Sequence, residues 1–171
     1  MRSLVTVFLA SLASFAGVAS AQSIDDSLLN HLAGKWVLTG KIAGHEVVHD
    51  VTADWVLAHQ YIQIHEISRA KKPDGKPDYE AIVYLGWNPG LKQYTCLWLD
   101  TTGGNGLVAD GFGHADKGQS TLSFRWNDDH GSPSLENAFS YDSTHNTWRW
   151  QIDNLDSGRV KHFADLKLVS R

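Results

Sequence analysis

From residue 36 onward the chain alternates apolar and polar positions with a period of two. Leu122, Phe124 and Trp126 fall on one side of their run, as do Leu135, Phe139 and Tyr141, and then Trp148, Trp150 and Ile152. Alternation of this kind predicts strands with one face against a core. Ten such runs follow one another, at 36–42, 46–57, 61–69, 79–87, 91–100, 107–113, 121–127, 135–141, 148–153 and 160–169. Pro73-Asp74-Gly75, Asn88-Pro89-Gly90, Asp129-His130-Gly131 and Asp156-Ser157-Gly158 separate runs with residues that suit chain reversal. Only residues 23–32 break the pattern. They predict a short helix with Ser23 as N-cap, Asp25 and Asp26 at its positive end, and Gly34 closing it. Short strands joined by tight turns predict an antiparallel up-and-down meander, and closure into a barrel would remove its exposed edges.

Residues 1–21 read as a signal peptide. Arg2 is followed by an apolar stretch from Leu4 to Val18, and Ala19-Ser20-Ala21 supplies the small-x-small cleavage pattern. The stretch is short for a membrane span and carries Ser, Thr and Gly. The expected product is therefore a periplasmic or secreted single domain covering 22–171, with no transmembrane segment after cleavage. The chain holds 15 Lys+Arg against 19 Asp+Glu, a net charge of −4, and loss of Arg2 with the signal takes it to −5. No basic patch interrupts this balance, which argues against nucleic acid or an anionic membrane surface as partner. The single cysteine, Cys96, lies in an apolar run and is expected to be a buried thiol. Without disulfides the core must carry stability, and seven Trp, five Tyr and six Phe supply much of the burial, although Phe8 and Phe15 lie in the signal.

Gly34-Lys35-Trp36, on the first strand behind a short helix, resembles the opening of the lipocalin and wider calycin barrels. That resemblance implies a Trp36 that plugs one barrel end beneath a basic side chain of the last strand, with Lys167 and Arg171 available. A longer match comprises Ala53-Asp54-Trp55-Val56-Leu57, Tyr61-Ile62 and Tyr84-Leu85-Gly86-Trp87-Asn88-Pro89, then Tyr94, Trp98, Asp100 and Asp110-Gly111. In this order these residues resemble a bacterial family of exported lipocalin-like barrels classed as a domain of unknown function. The likeness runs from about residue 28 to 171 and weakens after Gly113. Gly86-Trp87-Asn88 departs from the Gly-Tyr-Asp turn usual there. The resemblance implies a fold and no chemistry.

His45-Glu46-Val47-Val48-His49 spells a zinc-peptidase motif. On a helix the two histidines would share one face and one zinc, with Glu46 as general base and Glu66 as third protein ligand. On a strand they would share a face yet stand ~13 Å apart, at ~3.3 Å per residue. Gly44 and the β-branched Val47, Val48 and Val51 favour the strand.

On the strand reading His49 shares a face with Val47, Val51, Ala53 and Trp55. A tight turn at Ala58-His59-Gln60 would then bring Tyr61, Gln63, His65 and Ile67 to the same face. This predicts a ligand site of His49, Trp55, Tyr61, Gln63, His65 and Trp98 inside the barrel, with the histidines orienting a small, mainly apolar molecule. A slip of one residue would exchange the faces. His162, in Lys161-His162-Phe163, resembles the late-strand iron ligand of the nitrobindin haem barrels, which implies a haem alternative. Thr101-Thr102-Gly103-Gly104-Asn105-Gly106 lacks the Gly-Lys-Ser/Thr ending of a phosphate loop and reads as a plain loop. The favoured expectation is a non-catalytic barrel that binds an apolar ligand and needs no cofactor or metal.

Overall fold

The computed structural model describes residues 26–103 and 112–171. The expected signal peptide, the expected N-cap Ser23 and the start of the sixth expected strand lie outside them. Helix α1 (Ser27–Leu32) is followed by β1 (Gly34–Ile42), β2 (His45–Val56), β3 (Tyr61–Ser68), β4 (Glu80–Asn88) and β5 (Gln93–Asp100). The series continues through β6 (Phe112–Ala115), β7 (Thr121–Asn127), β8 (Pro133–Asp142), β9 (Thr147–Asp156) and β10 (Arg159–Ser170). Each strand pairs antiparallel with its sequence neighbour, and β1 also pairs with β10, so the ten strands close into a calycin-like barrel. Among the described residues no helix is long and apolar enough to cross a membrane.

Helix α1 starts at Asp26, whose Oδ1 accepts hydrogen bonds from the Leu28 and Leu29 amides, each at 3.0 Å. That satisfies two of the donors a helix start leaves bare. Ala33 is the C-cap, and Gly34 opens β1 rather than ending the helix. Leu28, Leu29 and Leu32 are buried, so α1 presses its apolar face onto one barrel end.

Three tryptophans fasten it there. Trp36 Nε1 donates to the Leu32 carbonyl at 2.8 Å, Trp55 Nε1 to Asn30 Oδ1 at 2.9 Å, and Trp148 Nε1 to the His31 carbonyl at 3.2 Å. Trp36 therefore plugs this end as expected, but the basic partner does not. Lys167 points outward opposite Thr39, and Arg171 bonds Asp50 on the outer surface at 3.2 Å.

Next to the plug the interior is packed with side chains. Leu38, Ile62, Ile64, Leu85, Leu122, Phe124, Phe139, Trp148, Trp150 and Leu168 are all fully buried. Phe139 meets Phe124 and Trp150 edge to face, with ring centroids 5.7 and 4.7 Å apart. Cys96 belongs to this core, and burial pushes its thiol pKa up. The turns and loops between β1 and β2, β3 and β4, β7 and β8, and β9 and β10 gather at the opposite end, with the end of β5 and the start of β6, and α1 leaves that end uncovered.

Candidate functional site

At the uncovered end the barrel holds a cavity of about 1090 Å³. Ile42, Val47, Leu135, Ile152, Phe163 and Leu166 give it apolar walls, and Trp98, Trp126 and Tyr79 give it aromatic ones. Gly113 makes room for one of these rings. A Cβ at Gly113 would fall 2.6 Å from the Trp126 ring, so only glycine lets that indole lie against β6.

The polar groups are set within this apolar lining. Strand pairing places Glu66 opposite Val51 and Ser68 opposite His49, so both β3 side chains turn inward with His49. His49 Nδ1 and Glu66 Oε1 share a hydrogen bond of 2.5 Å, and each residue is only 2% exposed. The His49 ring stacks on Tyr79, with centroids 5.6 Å apart.

Tyr79 is fixed from both sides. Its hydroxyl accepts from Trp98 Nε1 at 3.1 Å and donates to Asp100 Oδ2 at 3.3 Å. Burial raises the Tyr79 pKa, and the Glu66 and Asp100 charges raise it further, so the phenol stays a donor. Burial works in the raising direction on Asp100 as well. There the Thr102 hydroxyl, the Gly103 and Thr102 amides and the Tyr79 hydroxyl outweigh it and hold the carboxyl below its ordinary value.

Asn137, on β8, also lines the cavity. It is 2% exposed, and its Oδ1 has no hydrogen-bond partner among the described residues.

Of the six residues expected to form the site, the cavity brings together His49 and Trp98. The other four stand elsewhere. Trp55 is spent on the helix plug, and its ring stacks on His59 at 4.0 Å. Tyr61, Gln63 and His65 lie on the outer face. Tyr61 covers Gly86 so closely that a Cβ there would meet its ring at 2.7 Å. Gln63 Nε2 donates to the Tyr84 hydroxyl at 3.2 Å, and His65 Nε2 bonds Glu80 Oε1 at 2.7 Å.

The turn explains the reversal. Val56 pairs with Tyr61, so the turn contains four residues, 57–60, where the expected one had three. Leu57, Ala58 and His59 take left-handed backbone angles to make it. One added residue carries every β3 side chain to the opposite face. Leu and Ala rarely adopt left-handed backbone, so the first two residues of the turn gave no sign of it in the sequence.

The same register supplies what the sequence reading left out. Glu66, Asn137, Tyr79 and Asp100 line the cavity although none was placed in the apolar-ligand site. Glu66 was singled out only as a zinc ligand.

The zinc arrangement does not form. His45 and His49 both lie on β2 and are four strand residues, or ~13 Å, apart. Bonds near ~2.1 Å cannot bridge that separation. Among the described residues no group of three or more His, Cys, Asp or Glu is placed to hold a metal ion. His162 does not reach the interior either. A bulge between His162 and Ala164 turns it outward, where its Nδ1 bonds Asp153 Oδ1 at 2.5 Å.

The chain matches no protein-family model, and a search of curated proteins finds no significant match. The reading of the site therefore rests on its geometry.

Proposed function

We propose that this is an exported barrel that carries a small, mainly apolar molecule in its interior without covalent chemistry. The cavity of about 1090 Å³ at the uncovered end is the observation that supports this reading most directly. Its size and mixed lining suit a drug-sized or lipid-sized molecule held largely out of water. Burial against Trp98, Trp126, Tyr79 and the aliphatic walls would supply affinity at roughly 25 cal/mol per Å² of apolar area, before binding costs. The His49–Glu66 pair and Asn137 would orient the polar end. An amino-terminal stretch with the pattern of a signal peptide supports export.

Titration with the neutral dye N-phenyl-1-naphthylamine tests the reading. A saturable, blue-shifted rise in fluorescence at about one dye per chain is expected. Val47→Trp, which fills the cavity from its β2 wall, should weaken binding on the order of tenfold or more while circular dichroism stays unchanged. Folded wild-type protein that binds no dye, or a Val47→Trp variant that binds it equally well, would refute a ligand site in the barrel.

A further inference from the structure

The charged lining of the cavity is mainly acidic, and from this, with one unpaired buried acceptor, we infer the class of occupant. It is a lipophilic amine, with an apolar body in the barrel and an ammonium group directed toward the Glu66 and Asn137 acceptors. The inference rests on the carrier reading and makes it specific.

Charge is the first argument. Four carboxylates line the cavity among the described residues: Glu66 and Asp100, and at the exposed rim Asp78 and Glu46, the last paired with Lys41 at 3.4 Å. Arg69 is the only Lys or Arg among those lining residues, and it is already engaged. Asp50 holds it in two bonds, from Nε at 3.1 Å and from Nη2 at 2.7 Å. Of the histidines, His49 is bonded to Glu66 and His45 stands exposed at the rim. A carboxylate or phosphate head entering this cavity would lose its water and meet like charge with no free guanidinium or ammonium to pair it. An ammonium entering it would meet opposite charge.

Asn137 is an independent argument. It lines the cavity, and its Oδ1 is a buried acceptor with no hydrogen-bond partner among the described residues. Buried acceptors are normally paired, so this one calls for a donor from the occupant. An ammonium supplies three N–H donors and a carboxylate none. The aromatic lining agrees, because the faces of Tyr79, Trp98 and Trp126 attract an organic cation by their ring quadrupoles.

The test is displacement of N-phenyl-1-naphthylamine at pH 7.5 by dodecylamine, dodecanol and dodecanoate, each below its micelle-forming concentration. The three share a chain and differ in head group. Dodecylamine should displace the dye at a concentration about tenfold below that of dodecanoate, with dodecanol between them. Dodecanoate equal to or better than dodecylamine overturns the inference and leaves the carrier reading standing. If the dye does not bind, the carrier reading fails and the inference fails with it.

Glu66→Gln should narrow the amine-over-carboxylate ratio by about tenfold and leave dodecanol unchanged. Should that buried substitution prevent folding, Asn137→Leu serves instead. It should weaken dodecylamine and dodecanol but not dodecanoate. A folded variant with an unchanged ranking counts against the acceptor wall.

Discussion

Asp100 ties the rim of the cavity to its aromatic wall. Its Oδ1 accepts from the Thr102 hydroxyl at 2.6 Å and from the Thr102 and Gly103 amides at 2.7 and 2.9 Å, while Oδ2 accepts from Tyr79. These bonds favour the charged form, so the folded-state pKa lies below the unfolded one. A group depressed in this way stabilises the fold above its unfolded pKa of about 3.9 and loses that contribution as pH falls through the folded value. Asp100→Asn should therefore lower the melting temperature at neutral pH, and the gap from wild type should close below about pH 4. Melting curves from pH 7 to pH 2 would measure it, and a gap that stays constant across that range would contradict it. At this scale the sequence was only partly legible. His49 and Trp98 could be placed on the cavity from alternation, but Tyr61, Gln63 and His65 could not, because the face of every residue on β3 depended on one turn.

Helix α1 illustrates how elements acquire partners that the sequence does not announce. A helix of six residues is too short to persist alone, so tertiary bonds must hold it. Asp26 provides several at once. One oxygen caps the helix, and the other accepts from the buried Tyr94 hydroxyl on β5, with Lys117 Nζ 3.8 Å away. Removing the cap alone costs about 1–2 kcal/mol, and stranding the Tyr94 hydroxyl adds about 1–3 kcal/mol. Asp26→Ala should lose more than either effect alone, and Tyr94→Phe less. Chemical denaturation of both single variants and the double variant measures the coupling, which should be at least about 0.5 kcal/mol. Additive losses would mean that the Asp26–Tyr94 bond carries no stability.

The five letters from His45 to His49 belong to this scale as well. The residue types were those of a metallopeptidase helix, but β-branched valines and continuous pairing with β1 made them strand. Chemistry read from spacing assumes a secondary structure, and here that assumption fails.

The molecule as a whole depends on one long-range seam. Pairing β1 with β10 brings residues from the two ends of the described chain together and closes the strand order of the described residues into a barrel. Gly40 sits in that seam with φ of +145°, and a Cβ there would fall 2.1 Å from the Asp165 carbonyl oxygen. Gly44 provides a control, since its φ is +83° but a Cβ would meet nothing within 4 Å. Gly40→Ala should cost on the order of 3 kcal/mol or more, because backbone on β10 must move. Gly44→Ala should cost about 1 kcal/mol, from its backbone angle alone. Urea unfolding of the two variants ranks them, and an equal loss would show that closure tolerates a shifted seam.

The sequence by itself determined that the chain is all-β with ten strands, a short leading helix and a buried cysteine. Those properties follow from local periodicity, turn chemistry and composition, each confined to neighbouring residues. It also marked Trp36 as an end plug, through a short motif. Only the tertiary structure decided which side chains enter the barrel, because facing is set by register, and register by a single residue in the turn at 57–60. The structure alone revealed the open cavity, since a void is what packing leaves behind. It also brought Glu66 to His49 and left Asn137 Oδ1 without a hydrogen-bond partner among the described residues, both consequences of which strands lie beside one another.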